Sequence, residues 1–410
     1  MAKSVPRNKA SDIRGIGRLA ADAVVGLTSL VESLHHNIVR VSAPLGMPVE
    51  APMDGVSGFV YRSIRGVTRG VGNGVDLLLG EVAPLLQHES STARREAVLA
   101  ALNGVLGDHL ALGGNPLAIP MRLRRGGVPL ELTRAGLADS IARPAGRVLV
   151  LVHGLCFDDL QWRRKGHDRG AALALDAAAT RPLTELYLHY NSGRHVSTNG
   201  RAFAEMLEAL SRAWPVPLEE IAIVGHSMGG LVVRSACAYG AIARHGWLRR
   251  LRRVVFLGTP HEGAPLERGG NWVNLVLDAS PYTAAFARLA KIRSAGITDL
   301  RYGSILDEDW VREDRFRHKK GGAGSRHALP LPEGVACYAL AGSVGRRAGE
   351  LKEHMIGDGL VPVESALGHH AAPYGGALFA PSHQLIAHGV NHLGLLNAKK
   401  VYRALRTWVG

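Results

Sequence analysis

Near its centre the chain reads Ile221-Ala-Ile-Val-Gly-His-Ser-Met-Gly-Gly230, an apolar, β-branched run that ends in a glycine-bounded turn. The helical pattern of residues 231–238 follows directly. This succession predicts a strand, a tight turn and a helix that present the hydroxyl of Ser227 at the carboxyl end of a parallel sheet. The positions two before and two after the serine must be small, since a Cβ there would collide with the strand or the helix. Gly225 and Gly229 meet that requirement.

The G-x-S-x-G pattern alone is a weak signal in a chain with 50 glycines. Its position between a buried-strand pattern and a helix favours a nucleophilic Ser227 over a glycine-rich turn with an idle serine. A serine nucleophile also needs a base, a group that orients the base, and an oxyanion hole.

A second apolar run, Arg147–Val152, ends in His153-Gly154-Leu155. Gly154 lets the backbone turn closely, so that the Leu155 N–H is predicted to point at the substrate oxygen. The Met228 N–H, at the start of the helix after the serine, is predicted to be the second donor. An ordinary strand-to-loop turn, in which His153 only packs, is the alternative.

The orienting acid and the base are expected after the serine, in that order. Asp358 lies between two glycines, in a predicted loop that precedes an apolar run. An acid in such a loop can reach inward to a histidine. His392 lies just before a helical pattern that ends the chain. We therefore predict Asp358 as the acid and His392 as the base. Four other residues remain open as alternatives for these roles: Glu364, Asp278, His383 and His388.

From about residue 115 to the end, the chain resembles α/β-hydrolases of the lipase/esterase type, namely bacterial triacylglycerol lipases and PGAP1-like esterases. Five motifs carry this resemblance: His153-Gly154, Gly225-His-Ser-Met-Gly-Gly230, Gly258-Thr-Pro-His-Glu-Gly263, Gly357-Asp-Gly-Leu-Val-Pro362 and Asn391-His-Leu-Gly394. The resemblance implies Ser227 as nucleophile, His392 as base and Asp358 as acid. It also implies an oxyanion hole made by the N–H groups of Leu155 and Met228. The sequence does not match the calcium-site pattern found in some secreted lipases. We therefore expect neither a metal nor a cofactor.

The composition narrows the class of protein. With 410 residues, 46% of them hydrophobic, the chain can bury a sizeable core, and 5% aromatic residues argue against a surface that stacks sugars or bases. The three cysteines predict no disulfide framework, and packing is the expected role of Cys156. The net charge of +14 is spread over short arginine clusters without a nucleic-acid-reading motif. A solvated basic surface is expected, and attraction to an anionic membrane or a lipid or polymer granule is the alternative.

No apolar signal-peptide core is evident near the N-terminus, and no run reaches the roughly 18–20 apolar residues of a spanning helix. The expected location is therefore the cytoplasm, with contact at a lipid surface as an added hypothesis. Residues 1–112 are predicted to be a helical extension, in which residues 92–110 form a short helix. We expect residues 10–112 to pack on the catalytic domain and shape its cleft. Adsorption to a lipid or polymer surface is the alternative.

Residues 113–410 are predicted to form an α/β catalytic domain with a mostly parallel sheet and helices on both faces. Strands are predicted near 117–123, 128–132, 147–153, 184–190, 221–226, 252–258, 335–341 and 376–380, the first two as a hairpin around residues 125–127. Helices are predicted near 200–214 and 228–245. A helical lid insertion is predicted at about residues 264–330, because this gap is too long for a plain connection.

Together these patterns predict a serine carboxylic-ester hydrolase that acts on apolar acyl esters through an acyl-enzyme intermediate. A thioesterase or an acyltransferase with the same triad is the alternative among enzymes. A non-catalytic module that binds a lipid surface on a hydrolase fold is the alternative from another class. A complete serine–histidine–aspartate set argues against the binding module, because binding alone does not need all three.

Overall fold

The structure is a computed structural model that describes residues 92–164, 167–264, 294–310, 329–345, 357–369 and 378–410. The part of the predicted helical extension before residue 92, most of the predicted lid insertion and Asp278 lie outside the described residues. The predicted boundary at residue 112 stays a prediction.

In the described part of the chain, eight strands form one sheet in the order β10-β9-β8-β7-β3-β6-β1-β2, and two more form a separate antiparallel pair. The strands are β1 (Arg122–Arg125), β2 (Val128–Pro129), β3 (Arg147–Val152), β4 (Arg163–Arg164), β5 (His167–Asp168), β6 (Leu183–His189), β7 (Glu220–His226), β8 (Leu251–Leu257), β9 (Ala336–Ser343) and β10 (Gln384–His388). Six neighbouring strands of this order pair in parallel: β6, β3, β7, β8, β9 and β10. Strand β1 runs antiparallel to both β2 and β6. The predicted mostly parallel sheet is confirmed.

The helices are α1 (Thr92–Leu112), α2 (Arg134–Ser140), α3 (Arg169–Ala177), α4 (Val196–Ala213), α5 (Met228–Ile242), α6 (Ala295–Tyr302), α7 (Val363–Ala366) and α8 (Lys399–Val409). The predicted helices near 92–110, 200–214 and 228–245 are thus confirmed as α1, α4 and α5, with ends that differ by a few residues. No helix in these described ranges is long and apolar enough to cross a membrane.

The central strands are buried on both faces, which explains their continuous apolar runs. Every residue of β3 and of β7 is buried. Because successive side chains of a strand point to opposite faces, Ile221 and Ile223 lie in one core cluster while Ala222 and Val224 lie in another. The first cluster includes side chains of α4 and α5, and the second includes side chains of α3 and α8. The result is a three-layer α/β/α arrangement.

Helix α1 buries an apolar face against the segment that follows the helix. The cluster contains Val98, Leu99, Leu102, Leu106 and Leu110 of the helix together with Leu117 and Ile119 of that segment. The side chain of Asn103 donates to the carbonyl of Leu117 and accepts from the N–H of Ile119, both at 2.9 Å. Asn103 thereby satisfies backbone groups that a strand partner would otherwise bind. The predicted strand 117–123 is wrong over residues 117–121 for this reason, and β1 begins only at Arg122.

The predicted hairpin is confirmed, since Gly126 and Gly127 lie between β1 and β2 with φ of 61° and 81°. The second strand is shorter than predicted and ends at Pro129.

The predicted strand at 376–380 is wrong where the structure describes it. Residues 378–380 are irregular, residues 376–377 lie outside the described residues, and the last strand is β10. Phe379 is buried against the rings of Phe256 and His261, with centroids 5.6 Å and 5.1 Å away. Phe379 is therefore buried because a loop packs it on the core, and not because it lies in a strand.

Candidate active site

Ser227 lies in the turn between β7 and α5, with φ 55° and ψ −128°. A non-glycine residue in this left-handed region is strained by about 1–2 kcal/mol. Two backbone bonds hold the turn: the Ser227 N–H donates to the carbonyl of Leu257 at 2.8 Å, and the Gly230 N–H donates to the carbonyl of Ser227 at 3.0 Å. The sequence therefore folds into the strained elbow that the motif predicts.

The two small neighbours of the turn have steric reasons. A Cβ on Gly225 would lie 2.7 Å from Cα of Gly230, within the turn itself. A Cβ on Gly229 would lie 2.5 Å from the carbonyl oxygens of Val152 and His153, at the end of β3. Helix α5 can approach β7 and β3 this closely only because Gly225 and Gly229, respectively, lack a side chain.

The loop after β3 passes directly over the elbow. A Cβ on Gly154 would lie 3.0 Å from Cβ of Ser227. Met228 is the first residue of α5, and an N–H at that position has no acceptor within its own helix. The structure thus brings the His153–Leu155 loop and the start of α5 to Ser227.

His153 fixes the geometry of that loop. Its ring is fully buried, which lowers its pKa to about 3 and keeps the imidazole neutral. Nδ1 lies 2.9 Å from the carbonyl oxygen of Gly154 and must carry the proton, because a carbonyl only accepts. In a trans peptide the C=O and N–H point in opposite directions, so this bond also sets the direction of the Leu155 N–H. The Tyr190 hydroxyl donates to the carbonyl of His153 at 2.8 Å, and this bond fixes the peptide between His153 and Gly154.

Asp358 and His392 form a buried pair. Nδ1 of His392 lies 2.7 Å from Oδ2 of Asp358, and the two residues are 2% and 0% exposed, respectively. The other carboxylate oxygen accepts from the N–H groups of Leu360 and Val361 at 3.0 Å and 2.8 Å. The carboxylate is therefore held from both sides, and with Nδ1 donating to it, Nε2 is the atom of a neutral His392 that can accept a proton.

Two contacts place this pair beside the elbow. Nε2 of His226, the residue before Ser227, lies 3.2 Å from the carbonyl oxygen of His392, and the two rings lie 4.7 Å apart. At the end of β8, a Cβ on Gly258 would lie 3.1 Å from Oδ2 of Asp358 and 3.2 Å from Cε1 of His392. The carboxyl ends of β7 and β8 therefore flank the pair.

The alternative acid and bases that the structure describes are placed elsewhere. Glu364 contacts His369 at 2.6 Å, and both side chains are at least one-third exposed. Nδ1 of His383 lies 3.1 Å from the carbonyl of Cys337, and His388 lies in β10. Among the described carboxylates, Asp358 is the one that contacts His392.

Sequence reasoning missed a buried ionic cluster beside His153. The Arg124 guanidinium contacts Glu96 at 2.9 Å and Asp159 at 3.0 Å, and Nδ1 of His189 lies 3.0 Å from Asp159. Burial raises the pKa of the neighbouring Asp158 to about 7, and the charge of Asp159 adds to that effect. Burial opposes ionisation of Asp159 as well, but His189 and Arg124 outweigh it, so its pKa lies below the usual value. The only sequence signal was the pair of adjacent acids after the loop.

Cys156 packs as expected. Burial raises the pKa of its thiol to about 12, which keeps it protonated and a poor nucleophile. In the ranges that the structure describes, no group of three or more His, Cys, Asp or Glu side chains could hold a metal ion.

The family model that matches the chain describes a domain of unknown function, DUF7379, and matches residues 129–301, less than half of the chain. Among solved structures, the chain is similar to a mature lipase of Bacillus licheniformis, at 18% identity and a TM-score of 0.40 over 70% of this chain and 97% of that chain. It is also similar to a thermophilic esterase of Thermogutta terrifontis, at 14% identity and a TM-score of 0.36 over 71% and 93% of the two chains. A lipase-esterase related protein from Clostridium acetobutylicum matches at 13% identity and a TM-score of 0.32, over 64% and 95%. No curated protein matches the sequence.

The sheet order, the antiparallel β1–β2 edge and the strained serine between β7 and α5 define the architecture. The fold is an α/β-hydrolase fold. One fold hosts many activities, so the activity depends on the residues of the site.

Proposed function

We propose that the protein is a serine carboxylic-ester hydrolase, an esterase or lipase, that acts on esters with an apolar acyl group. The observation that supports this most is the strained Ser227 beside the buried Asp358–His392 pair. A buried carboxylate that orients a histidine next to a serine in a strand-to-helix elbow is the arrangement that activates a hydroxyl.

In the first half-reaction, Nε2 of His392 takes the proton of the Ser227 hydroxyl while Oγ bonds to the ester carbonyl carbon. The carbonyl oxygen becomes an oxyanion, which the N–H groups of Leu155 and Met228 stabilise. His392 then donates its proton to the alcohol oxygen. The carbon–oxygen bond breaks, the alcohol leaves, and the acyl group remains on Ser227.

In the second half-reaction, His392 takes a proton from water, whose oxygen attacks the acyl carbon. The tetrahedral intermediate collapses, the proton returns to Oγ of Ser227, and the carboxylic acid leaves. Asp358 stays ionised throughout and stabilises the imidazolium that forms twice in each cycle.

The apolar acyl preference is a sequence-based inference, since Leu155 and Met228 are the apolar residues that carry the two proposed oxyanion N–H groups. A thioesterase or an acyltransferase would use the same groups and differ only in the leaving group or the acceptor. Contact with a lipid or polymer surface, and a cytoplasmic location, remain predictions.

The test is hydrolysis of p-nitrophenyl esters graded by acyl length, measured beside a panel of acyl-CoA thioesters. The proposal predicts turnover of the oxygen esters with a preference among apolar acyl chains. Acyl-CoA hydrolysis at a much higher kcat/KM would favour the thioesterase instead. Absence of turnover in both panels would favour the binding module.

A further inference from the structure

Cys156 adopts a backbone conformation that an L-residue rarely takes. Its φ is 62°, in the left-handed region, and it directly follows Leu155, the proposed oxyanion donor. Such a residue persists only where its surroundings hold it, because the conformation is unfavourable by itself. Leu155 is therefore held from two sides: the His153 bond to the Gly154 carbonyl sets the peptide before it, and the contacts of Cys156 set the peptide after it.

One hydrogen bond fixes Cys156 directly. Its N–H donates to Oγ of Ser192 at 3.0 Å, and Ser192 is 1% exposed. Ser192 lies in the loop after β6, between Asn191 and Gly193. The side-chain oxygen of Asn191 accepts from the Gly193 N–H at 3.0 Å, so the loop is closed around Ser192.

Helix α1 packs against Cys156 and against Asn191, the residue before Ser192. A Cβ on Gly104 would overlap Sγ of Cys156 and lie 2.8 Å from its Cα. One turn on, a Cβ on Gly107 would overlap the side-chain oxygen of Asn191, whose amide donates to the Gly107 carbonyl at 2.8 Å. Helix α1 therefore contacts both the loop that carries Leu155 and Cys156 and the loop that carries Asn191 and Ser192.

We propose that Ser192 is a positioning residue for the oxyanion hole, and that α1, through Gly104, holds Cys156 against it. This inference rests on the proposed function, since it gives Ser192 a role in orienting the Leu155 N–H. Ser192 acts through Cys156 and need not touch the substrate. Its loss should weaken an interaction that is strongest in the transition state, which lowers kcat and leaves KM nearly unchanged.

The experiment compares Ser192→Ala with Ser235→Ala in the full chain. Ser235 is a matched control, because it is 0% exposed and its Oγ has no hydrogen-bond partner among the described residues. Values of kcat are expressed per Ser227 titrated with a fluorophosphonate, which removes any effect of a smaller folded fraction. An alkyl boronic acid, which forms a tetrahedral adduct on a serine nucleophile, serves as a transition-state analogue.

Ser192→Ala is expected to lower kcat by about 10- to 50-fold, less than the 10²–10³ typical of removing an oxyanion donor, because the donor is displaced and not deleted. KM should stay within about twofold, and boronic acid affinity should fall by a factor similar to that of kcat. Ser235→Ala should change kcat less than about twofold. Gly104→Ala, which improves helix propensity while crowding Cys156, should reproduce the loss of kcat.

Unchanged kcat and boronic acid affinity in Ser192→Ala, in a protein that hydrolyses esters and is labelled at Ser227, would overturn the positioning role alone. Equal losses in Ser192→Ala and Ser235→Ala would also overturn it, since any buried hydroxyl would then matter. A wild-type protein that is neither labelled nor active would overturn the proposed function, and with it this inference.

Discussion

Replacing Asp358 by asparagine tests the acid without emptying its site. Oδ1 can still accept from Leu360 and Val361, so the turn that holds the residue keeps both of its hydrogen bonds. The amide nitrogen, however, takes the place of the oxygen that lies 2.7 Å from Nδ1 of His392. Two donors would then face each other, and His392 must move its proton to Nε2, the atom that has to accept the serine proton.

The wrong tautomer is expected to lower kcat by about 10⁴-fold. Exchange of a charge-assisted hydrogen bond for a neutral one should lower the free energy of unfolding by about 1 kcal/mol. Asp358→Ala should be similarly inactive but less stable, by about 1–3 kcal/mol for each backbone N–H left unpaired.

The assay is kcat for a p-nitrophenyl ester together with urea unfolding of each variant. Glu364→Gln is the control, because Glu364 contacts His369 on the surface and should change kcat less than about twofold. If Asp358→Asn kept more than about a tenth of wild-type kcat, or if Glu364→Gln proved the more damaging change, the tautomer argument for Asp358 would be wrong.

Two further predictions concern stability. Gly258→Ala forces a side chain into φ +56° and to 2.7 Å from Leu395, and should lower the free energy of unfolding by about 2–5 kcal/mol in urea titration; a loss below about 1 kcal/mol would contradict the close approach. Asp158, with a pKa raised to about 7 from 3.8, holds a proton in the folded state that the unfolded chain releases, so it makes stability fall as pH rises from about 4 to 7. Asp158→Asn removes that contribution and should therefore become more stable relative to wild type across this pH range; a relative stability independent of pH, or one that falls, would contradict the raised pKa.

The sequence predicted the elements that a repeating physical pattern encodes. The buried runs of β3 and β7 and the glycines around Ser227 carry local signals, since burial on both faces and a strained turn each restrict the residues that fit. The prediction of Asp358 and His392 used chain order, the glycines on both sides of Asp358 and the resemblance of their motifs to those of α/β-hydrolases. The structure brings these two together at 2.7 Å, and their catalytic roles remain proposals.

What the sequence did not predict depends on contacts between distant residues. Phe379 lies in an apolar stretch that resembles a strand, yet it packs from a loop onto Phe256. The hydrogen bond between Cys156 and Ser192 joins residues 36 positions apart, and no sequence pattern around either residue predicts it. From the sequence, Gly104 is simply an unfavourable residue inside a helix. In the structure, its close contact with Cys156 explains why a side chain is excluded there.

The most direct test of the central claim is active-site labelling with a fluorophosphonate, read by mass spectrometry of the modified peptide and paired with ester hydrolysis by Ser227→Ala. We predict a single adduct on Ser227, no adduct in the Ser227→Ala variant, and a loss of turnover of several orders of magnitude in a variant that still unfolds cooperatively. An adduct on another residue, or ester turnover that survives in Ser227→Ala, would contradict the assignment of Ser227 as the nucleophile.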